Sequence, residues 1–355
     1  MAERVDRWPP GAPCWVDLMV SDLDRSQDFY ATVLGWRFTP SDPAYGGYCN
    51  ALVAGEPVAG LSPGLPGAED DPHAWAVYLA SEDLAATGRA AVAAGARPVL
   101  EPVRVGDFGS MGVWADPTGA AFGVWQPGRH TGFSVVGGHG TVAWCELMTR
   151  DQRAAERFYA VVFGYAYREL GTRHEAYAAF TVPGSERGGG IGVPAPDLDP
   201  LREAPPMWWV CFEVDDADTA AEAVVAAGGS LLGEPEEFGY GELVLAAGPD
   251  GERFAMTGPR SEDWDDHSWS RGLRRGRPAR AAGRQRRPGP GGSAVGAQNM
   301  PTTAPTNHSR TNSATRPTIT PIQTLPLAES PGRSTSRSGL SGPTPTPASG
   351  GVSPA

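Results

Sequence analysis

The chain has 355 residues and no lysine, so all 29 of its basic residues are arginine. It has six histidines and four cysteines, Cys14, Cys49, Cys145 and Cys211, with no CxxC or CxxH spacing among them. That scatter argues against a zinc ribbon, a redox pair or a disulfide framework. Each cysteine sits in or beside a strand-like run, so the four read as small, reduced core residues. No stretch approaches the ~18 apolar residues that a membrane span needs. The opening MAERVDRWPPGAP has no apolar segment of the kind a secretory signal carries. These absences predict a soluble cytoplasmic protein with no membrane partner. There is no GxSxG and no Ser-His-Asp order. Gly188–Gly192 (GGGIG) precedes no helix, so it lacks the amide cradle of a phosphate loop and reads as a strand with close backbone approach. His73, His130, His139 and His174 have no ligand spacing to one another and read as surface residues.

The charge is unevenly spread. Residues 1–258 hold 16 arginines against 36 acidic residues, a body that repels phosphate and makes nucleic acid a poor partner. Residues 259–355 hold 13 arginines against five acids and are rich in Pro, Ser, Thr and Gly. Such a composition cannot offset its ordering entropy, and a disordered tail is expected. The eight arginines from Arg271 to Arg287 could hold a polyanion or fold back on the acidic body, but a solvated tail is the simplest reading. Read-through sequence without a selected role is a further alternative for the tail. The cluster Asp263–His267 (DWDDH) resembles metal ligands only weakly.

What is present is a repeat. Trp15–Phe38 (WVDLMVSDLDRSQDFYATVLGWRF) recurs without a gap as Trp144–Tyr167 (WCELMTRDQRAAERFYAVVFGYAY), 129 positions later. Each copy reads as an alternating strand, an Asp at a helix start, and a helix ended by Gly. A second pair, WAVYLASEDLAATGRAAVAAG from Trp75 and WWVCFEVDDADTAAEAVVAAG from Trp208, recurs at an offset of 133. Tight turns at Asp116–Gly119 and Gly248–Gly251 precede a last strand in each half. The sequence therefore predicts an α+β fold of four βαβββ units paired into two domains. After a lead-in at 1–12 come a first domain at 13–127, a linker at 128–138, a second domain at 139–258 and the tail at 259–355. The two domains are expected to pack together within one chain, which leaves a homodimer open.

The strand–D–helix–FYxxvLGW run, the W-x-V-x-F-x-V-D-D unit and the D-P-x-G turn resemble the vicinal oxygen chelate superfamily. That superfamily includes glyoxalase I, bleomycin-resistance proteins and extradiol dioxygenases. More closely, the chain resembles its two-domain, acidic, glyoxalase-like or hydroxylase-labelled members of actinomycete type. The resemblance implies metal ligands at the first strand of each unit and in the last strand of each domain. By counting from the helix and turn aspartates, those positions hold Trp15, Ala76 and Gly123, then Trp144, Trp209 and Ala255. None offers an imidazole, carboxylate or thiolate. No cofactor is therefore expected.

Strand parity assigns the cavity face. Val16, Leu18 and Val20 go to the helices, leaving Trp15, Asp17 and Met19 inward. The second copy leaves Trp144, Glu146 and Met148 inward. Tyr78, Trp209, Cys211 and Glu213 follow by the same alternation, and Trp114 and Trp125 are assigned to that side with Gly112 and Gly123. Two readings stand: the rings fill the cavity as core, or they line a pocket for a small aromatic or cationic molecule. Asp17 and Glu146 could be general bases with raised pKa, or carboxylates hydrogen-bonded to a neighbouring strand. The expected function is metal-free small-molecule binding. The alternative is a glyoxalase-like lyase or isomerase, or a hydroxylase-type enzyme, using an inner-face carboxylate or an atypical metal site.

Overall fold

The structure is a computed structural model, and it describes residues 2–3, 7–64, 73–170, 177–184, 188–192, 204–238 and 241–259. His174, the DWDDH cluster and the arginine run lie outside these. The first domain comprises β1 (Pro13–Val20), α1 (Leu23–Leu34), β2 (Arg37–Phe38), β3 (Cys49–Val53), β4 (Glu56–Pro63), β5 (Ala76–Ala80), α2 (Leu84–Ala93), β6 (Arg97–Val105), β7 (Gly109–Ala115) and β8 (Ala121–Pro127). The second repeats the order with β9 (Val142–Met148), α3 (Gln152–Phe163), β10 (Ala166–Glu169), β11 (Tyr177–Thr181), β12 (Gly188–Gly192), β13 (Met207–Glu213), α4 (Ala217–Ala226), β14 (Ser230–Leu231), β15 (Glu236–Phe238), β16 (Gly241–Ala247) and β17 (Arg253–Gly258).

The strand orders are β2-β3-β4-β1-β5-β8-β7-β6 and β10-β11-β12-β9-β13-β17-β16-β14, with β15 also paired to β16. The first strand of each unit thus lies at the sheet centre. β1 runs parallel to β4 and antiparallel to β5, and β9 does the same with β12 and β13. The repeat seen in the sequence is a repeat of topology.

The four helices start alike. Asp22, Asp83, Asp151 and Asp216 each accept a hydrogen bond from the backbone N–H three residues on, at 3.0, 2.8, 3.0 and 2.7 Å. A cap of this kind contributes ~1 kcal/mol. Gly35 and Gly164 close α1 and α3 at φ 66° and 72°, a conformation that costs glycine least. On β1, Val16, Leu18 and Val20 are fully buried on the helix side while Asp17 and Met19 are half-buried on the other.

The domains pack through their helices, in a reciprocal way. Tyr30 on α1 donates its hydroxyl to Glu252 of the second domain at 2.8 Å. Its repeat counterpart Tyr159 on α3 donates to Asp116 of the first domain at 3.1 Å. Phe29 and Trp36 pack on Phe254 and Phe212, and Phe158, Tyr159 and Phe163 pack on Phe122. Trp36 Nε1 donates to the Gly140 carbonyl at 2.7 Å and Tyr165 to that of Gly11 at 2.6 Å. Asp116 also caps its own turn, accepting from Thr118, Gly119 and Ala120. The matching turn has Gly248 in that place, and a Cβ there would lie 2.0 Å from Glu252 Oε1. The missing carboxylate is thus supplied from four residues downstream, into the same volume. Burial pushes both Asp116 and Glu252 up, against the hydrogen bonds that lower them.

Candidate functional site on the inner sheet faces

On the face away from the helices, each domain repeats one group. Trp15 Nε1 donates to the Tyr48 hydroxyl at 2.9 Å, and Trp144 Nε1 donates to the Tyr177 hydroxyl at 3.0 Å. Tyr177 in turn donates to Glu146 Oε2 at 2.6 Å. Asp17 occupies the corresponding place beside Tyr48 and Tyr78. Glycine makes the tyrosine positions available. A Cβ at Gly60, the register partner of Asp17, would lie 1.7 Å from the Tyr48 hydroxyl. One at Gly190, the partner of Glu146, would lie 2.0 Å from that of Tyr177. The close approach that glycine permits in these strands is thus the approach of a tyrosine.

Both acids are perturbed. Burial pushes Asp17 up to about 7, against the Tyr78 hydrogen bond that lowers it. Burial also raises Glu146, against hydrogen bonds from Tyr177 and Trp144. Each carboxylate is therefore bonded to a neighbouring strand and also titrates high, so the two sequence readings of these acids coexist.

The strand register defines the rows that would hold a metal. They are Trp15–Tyr78–Gly123 in the first domain and Trp144–Cys211–Ala255 in the second. Ala76 and Trp209, reached by counting, stand one step off those rows, opposite Asp17 and Glu146. On either choice the donor set is inadequate. Indole, methyl and hydrogen do not ligate, and the Tyr78 phenol and Cys211 thiol, one per row, are buried and pushed far up, so they stay protonated. Among the described residues no three His, Cys, Asp or Glu converge as ligands. The residues do not fit the metal that the fold family implies.

The two faces differ in how they are filled. In the first, Trp15, Tyr78 and Trp125 are 4, 2 and 7% exposed. Tyr78 lies over Gly123, where a Cβ would meet its ring at 2.3 Å. Linker residues complete the packing: His130 stands edge-on to Trp15 at 4.3 Å and Phe133 lies 5.7 Å from it. Trp125 Nε1 donates to the His130 carbonyl at 2.9 Å. Burial lowers His130 to about 4, so the expectation of a surface histidine fails there. In the second domain Trp209 is buried, but Trp144, Glu146, Met148, Tyr177, Met207 and Glu213 all stay partly exposed. Cys211 and Thr257 take the places of Tyr78 and Trp125 in the register.

Trp114 needs correction. It faces α2, where a Cβ on Gly88 would lie 2.6 Å from its ring, and it stacks with Phe122 on the helix side. It cannot line the inner face. Met19 stands at the sheet end, in register with Ser62. Tyr48, Tyr177, His130 and Phe133 belong to the inner faces without having been singled out. The two tyrosines sit 129 positions apart, the offset of the repeat, and could have been found by it.

Comparison with known proteins agrees with this frame. The chain matches the Glyoxalase/Bleomycin resistance protein/Dioxygenase superfamily over residues 14–124 and 141–256. It is 34% identical over 254 residues to CFP32 of Mycobacterium bovis and Mycobacterium tuberculosis, provisionally named a glyoxylase, covering 70% of this chain and 95% of the relative. It is 33% identical over 263 residues to the anthracycline biosynthesis protein DnrV of Streptomyces peucetius, covering 70% and 94%. The Mn(II)-bound glyoxalase from Novosphingobium aromaticivorans superimposes with a TM-score of 0.50 at 18% identity, covering 72% of this chain and 85% of that one. The 2,3-dioxygenase LapB from Pseudomonas sp. KL28 gives 0.51 at 13%, covering 72% and 96%. These structures share the fold, and on the family match the chain belongs to the Glyoxalase/Bleomycin resistance protein/Dioxygenase superfamily.

Proposed function

We propose that the protein binds a small aromatic molecule on the inner face of its second domain, without a metal. The observation that carries this is the asymmetry between two copies of one face. Tyr48, Met19 and Asp17 are partly exposed like Tyr177, Met148 and Glu146, but in the first copy Trp15 is buried under Tyr78, Trp125, His130 and Phe133, whereas in the second Trp144 stays partly exposed next to Met207 and Thr257. Aromatic and thioether walls around a few polar groups suit a planar guest. The relative named for anthracycline biosynthesis points to the same ligand chemistry, since anthracyclines are planar and aromatic. Titration of the full chain with naphthalene and quinoline derivatives, read by tryptophan fluorescence, tests this. Trp144→Ala is expected to abolish binding and Trp15→Ala, if folded, to leave it unchanged. Loss with Trp15→Ala alone would assign the site to the first domain.

A second reading rests on Glu146 itself. A carboxyl raised by burial and held by Tyr177 suits general acid or base chemistry, as in a metal-independent lyase or isomerase. If turnover of any bound ligand is detected, Glu146→Gln should remove it while binding survives. Turnover unchanged by Glu146→Gln would end that reading.

A further inference from the structure

Resting on the reading of the second inner face as a ligand site, we infer that its ligand is an aromatic cation whose positive group is received by Glu146. Tyr177 donates to Oε2 and the Trp144 indole N–H reaches the same group, so the carboxylate is held in one orientation. The half-buried carboxylate therefore stands oriented beside the partly exposed indole of Trp144 and ring of Tyr177. An oriented carboxylate flanked by π-faces suits a cation, because both the charge and the ring quadrupoles attract it.

The surrounding charges favour the same sign. Glu213, half-buried on the same face, and Glu146 both act on Cys211, which lies between them on β13. Tyr177 on β11 and the thiols of Cys145 and Cys211 are all pushed upward, so they stay neutral and do not offset Glu146. Arg253 on β17 is two strands away and makes no ion pair with it. In the first domain the equivalent acid, Asp17, is half-buried like Glu146, but it lies between Tyr48 and Tyr78 beside a Trp15 that His130 and Phe133 cover, so no exposed indole accompanies it there. A cation on Glu146 must displace its proton wherever the free carboxyl is protonated. Affinity for the cation therefore rises with pH, and affinity for a neutral molecule of the same shape does not.

The test uses the full chain and a matched pair of probes, N-methylquinolinium and 1-methylnaphthalene, followed by tryptophan fluorescence and by calorimetry in two buffers. The expected result is about tenfold tighter binding of N-methylquinolinium at pH 8, a preference that shrinks as pH is lowered, with proton release wherever the free carboxyl is protonated. Glu146→Gln, which keeps an acceptor for Tyr177, is expected to erase the preference while leaving 1-methylnaphthalene unchanged. Asp17→Asn is expected to change neither. Equal affinities, tighter binding of the neutral probe, or a preference that survives Glu146→Gln would overturn the cation assignment alone. If neither probe binds at millimolar concentration, the ligand site itself is refuted.

Discussion

Replacing Asp17 by Asn should stabilise the protein at neutral pH and do nothing in acid. Burial raises this carboxyl from 3.8 to about 7. Between those values the folded chain holds a proton that the unfolded chain has released, so the stability this group contributes falls as pH rises through that window. The full gap corresponds to ~4 kcal/mol. Asp17 is half-buried rather than enclosed, so solvent screening halves the expected effect to ~2 kcal/mol. Asn keeps a carbonyl for the Tyr78 hydroxyl and has nothing to ionise. The comparison needs the difference between variant and parent, because other groups titrate nearby. His130, lowered from 6.5 to about 4 by burial, works in the opposite direction: its stability contribution grows as pH rises through that interval. Urea unfolding of both proteins from pH 4 to pH 8 reads the difference directly. The Asn variant should be equal at pH 4 and ~2 kcal/mol more stable at pH 8, or ~4–8 °C in Tm. Parallel curves, or an Asn variant that is less stable at pH 8, would refute the account of Asp17 as a costly buried anion.

Three further outcomes follow from the packing. Tyr30→Phe and Tyr159→Phe each leave a buried carboxylate of the opposite domain short of a donor, and each should cost ~1.5–3 kcal/mol in denaturant unfolding. Because Tyr30 and Tyr159 share no hydrogen-bond or ring partner among the described residues, the double variant should cost about the sum. Gly60→Ala and Gly190→Ala set a methyl within 1.7 and 2.0 Å of a tyrosine hydroxyl, and each should cost ~1–3 kcal/mol; a Tyr48→Ala background should relieve the first. His130→Ala with Phe133→Ala uncovers Trp15, which should red-shift the tryptophan emission and make it quenchable by iodide.

The framework was legible because it is local and repeated. Alternating strands, Asp caps and glycine stops depend on neighbours in sequence, and two copies at one offset remove most of the ambiguity. Within a strand, alternation also placed Trp15, Asp17, Trp144 and Glu146 on one face correctly. It failed for Trp114 because alternation fixes which residues share a face and leaves open which face that is. The pairing that carries the face from the centre to Trp114, β5 to β8 and β8 to β7, runs in continuous register, but pairing partners are not written in the sequence, so parity alone could not be carried across strands. A signal was present in Gly88 and Gly112. Glycine inside a helix costs ~1 kcal/mol against alanine, and here it admits the Trp114 ring. Glu252 was harder still, since its role exists only through the side chain that Gly248 lacks.

The duplication also explains why the sequence could not decide between a filled and an open inner face. Trp, Tyr and acid recur in both copies, so nothing in the repeated stretch distinguishes the domains. The difference lies in residues that fill volume around it. Tyr78 and Trp125 give way to Cys211 and Thr257, and the linker residues His130 and Phe133 seat themselves on Trp15. A linker between two copies has a first face to pack on by virtue of its position, so closing that face requires no change in the repeat itself. The second copy keeps the same Trp–Tyr–carboxylate arrangement, with Tyr177 orienting Glu146, but with smaller neighbours. If that arrangement served packing alone, exposing it would be a liability, because a raised carboxyl and two rings gain nothing from partial solvation. The exposure of its tryptophan in one copy only is therefore the strongest reason to look for a ligand there.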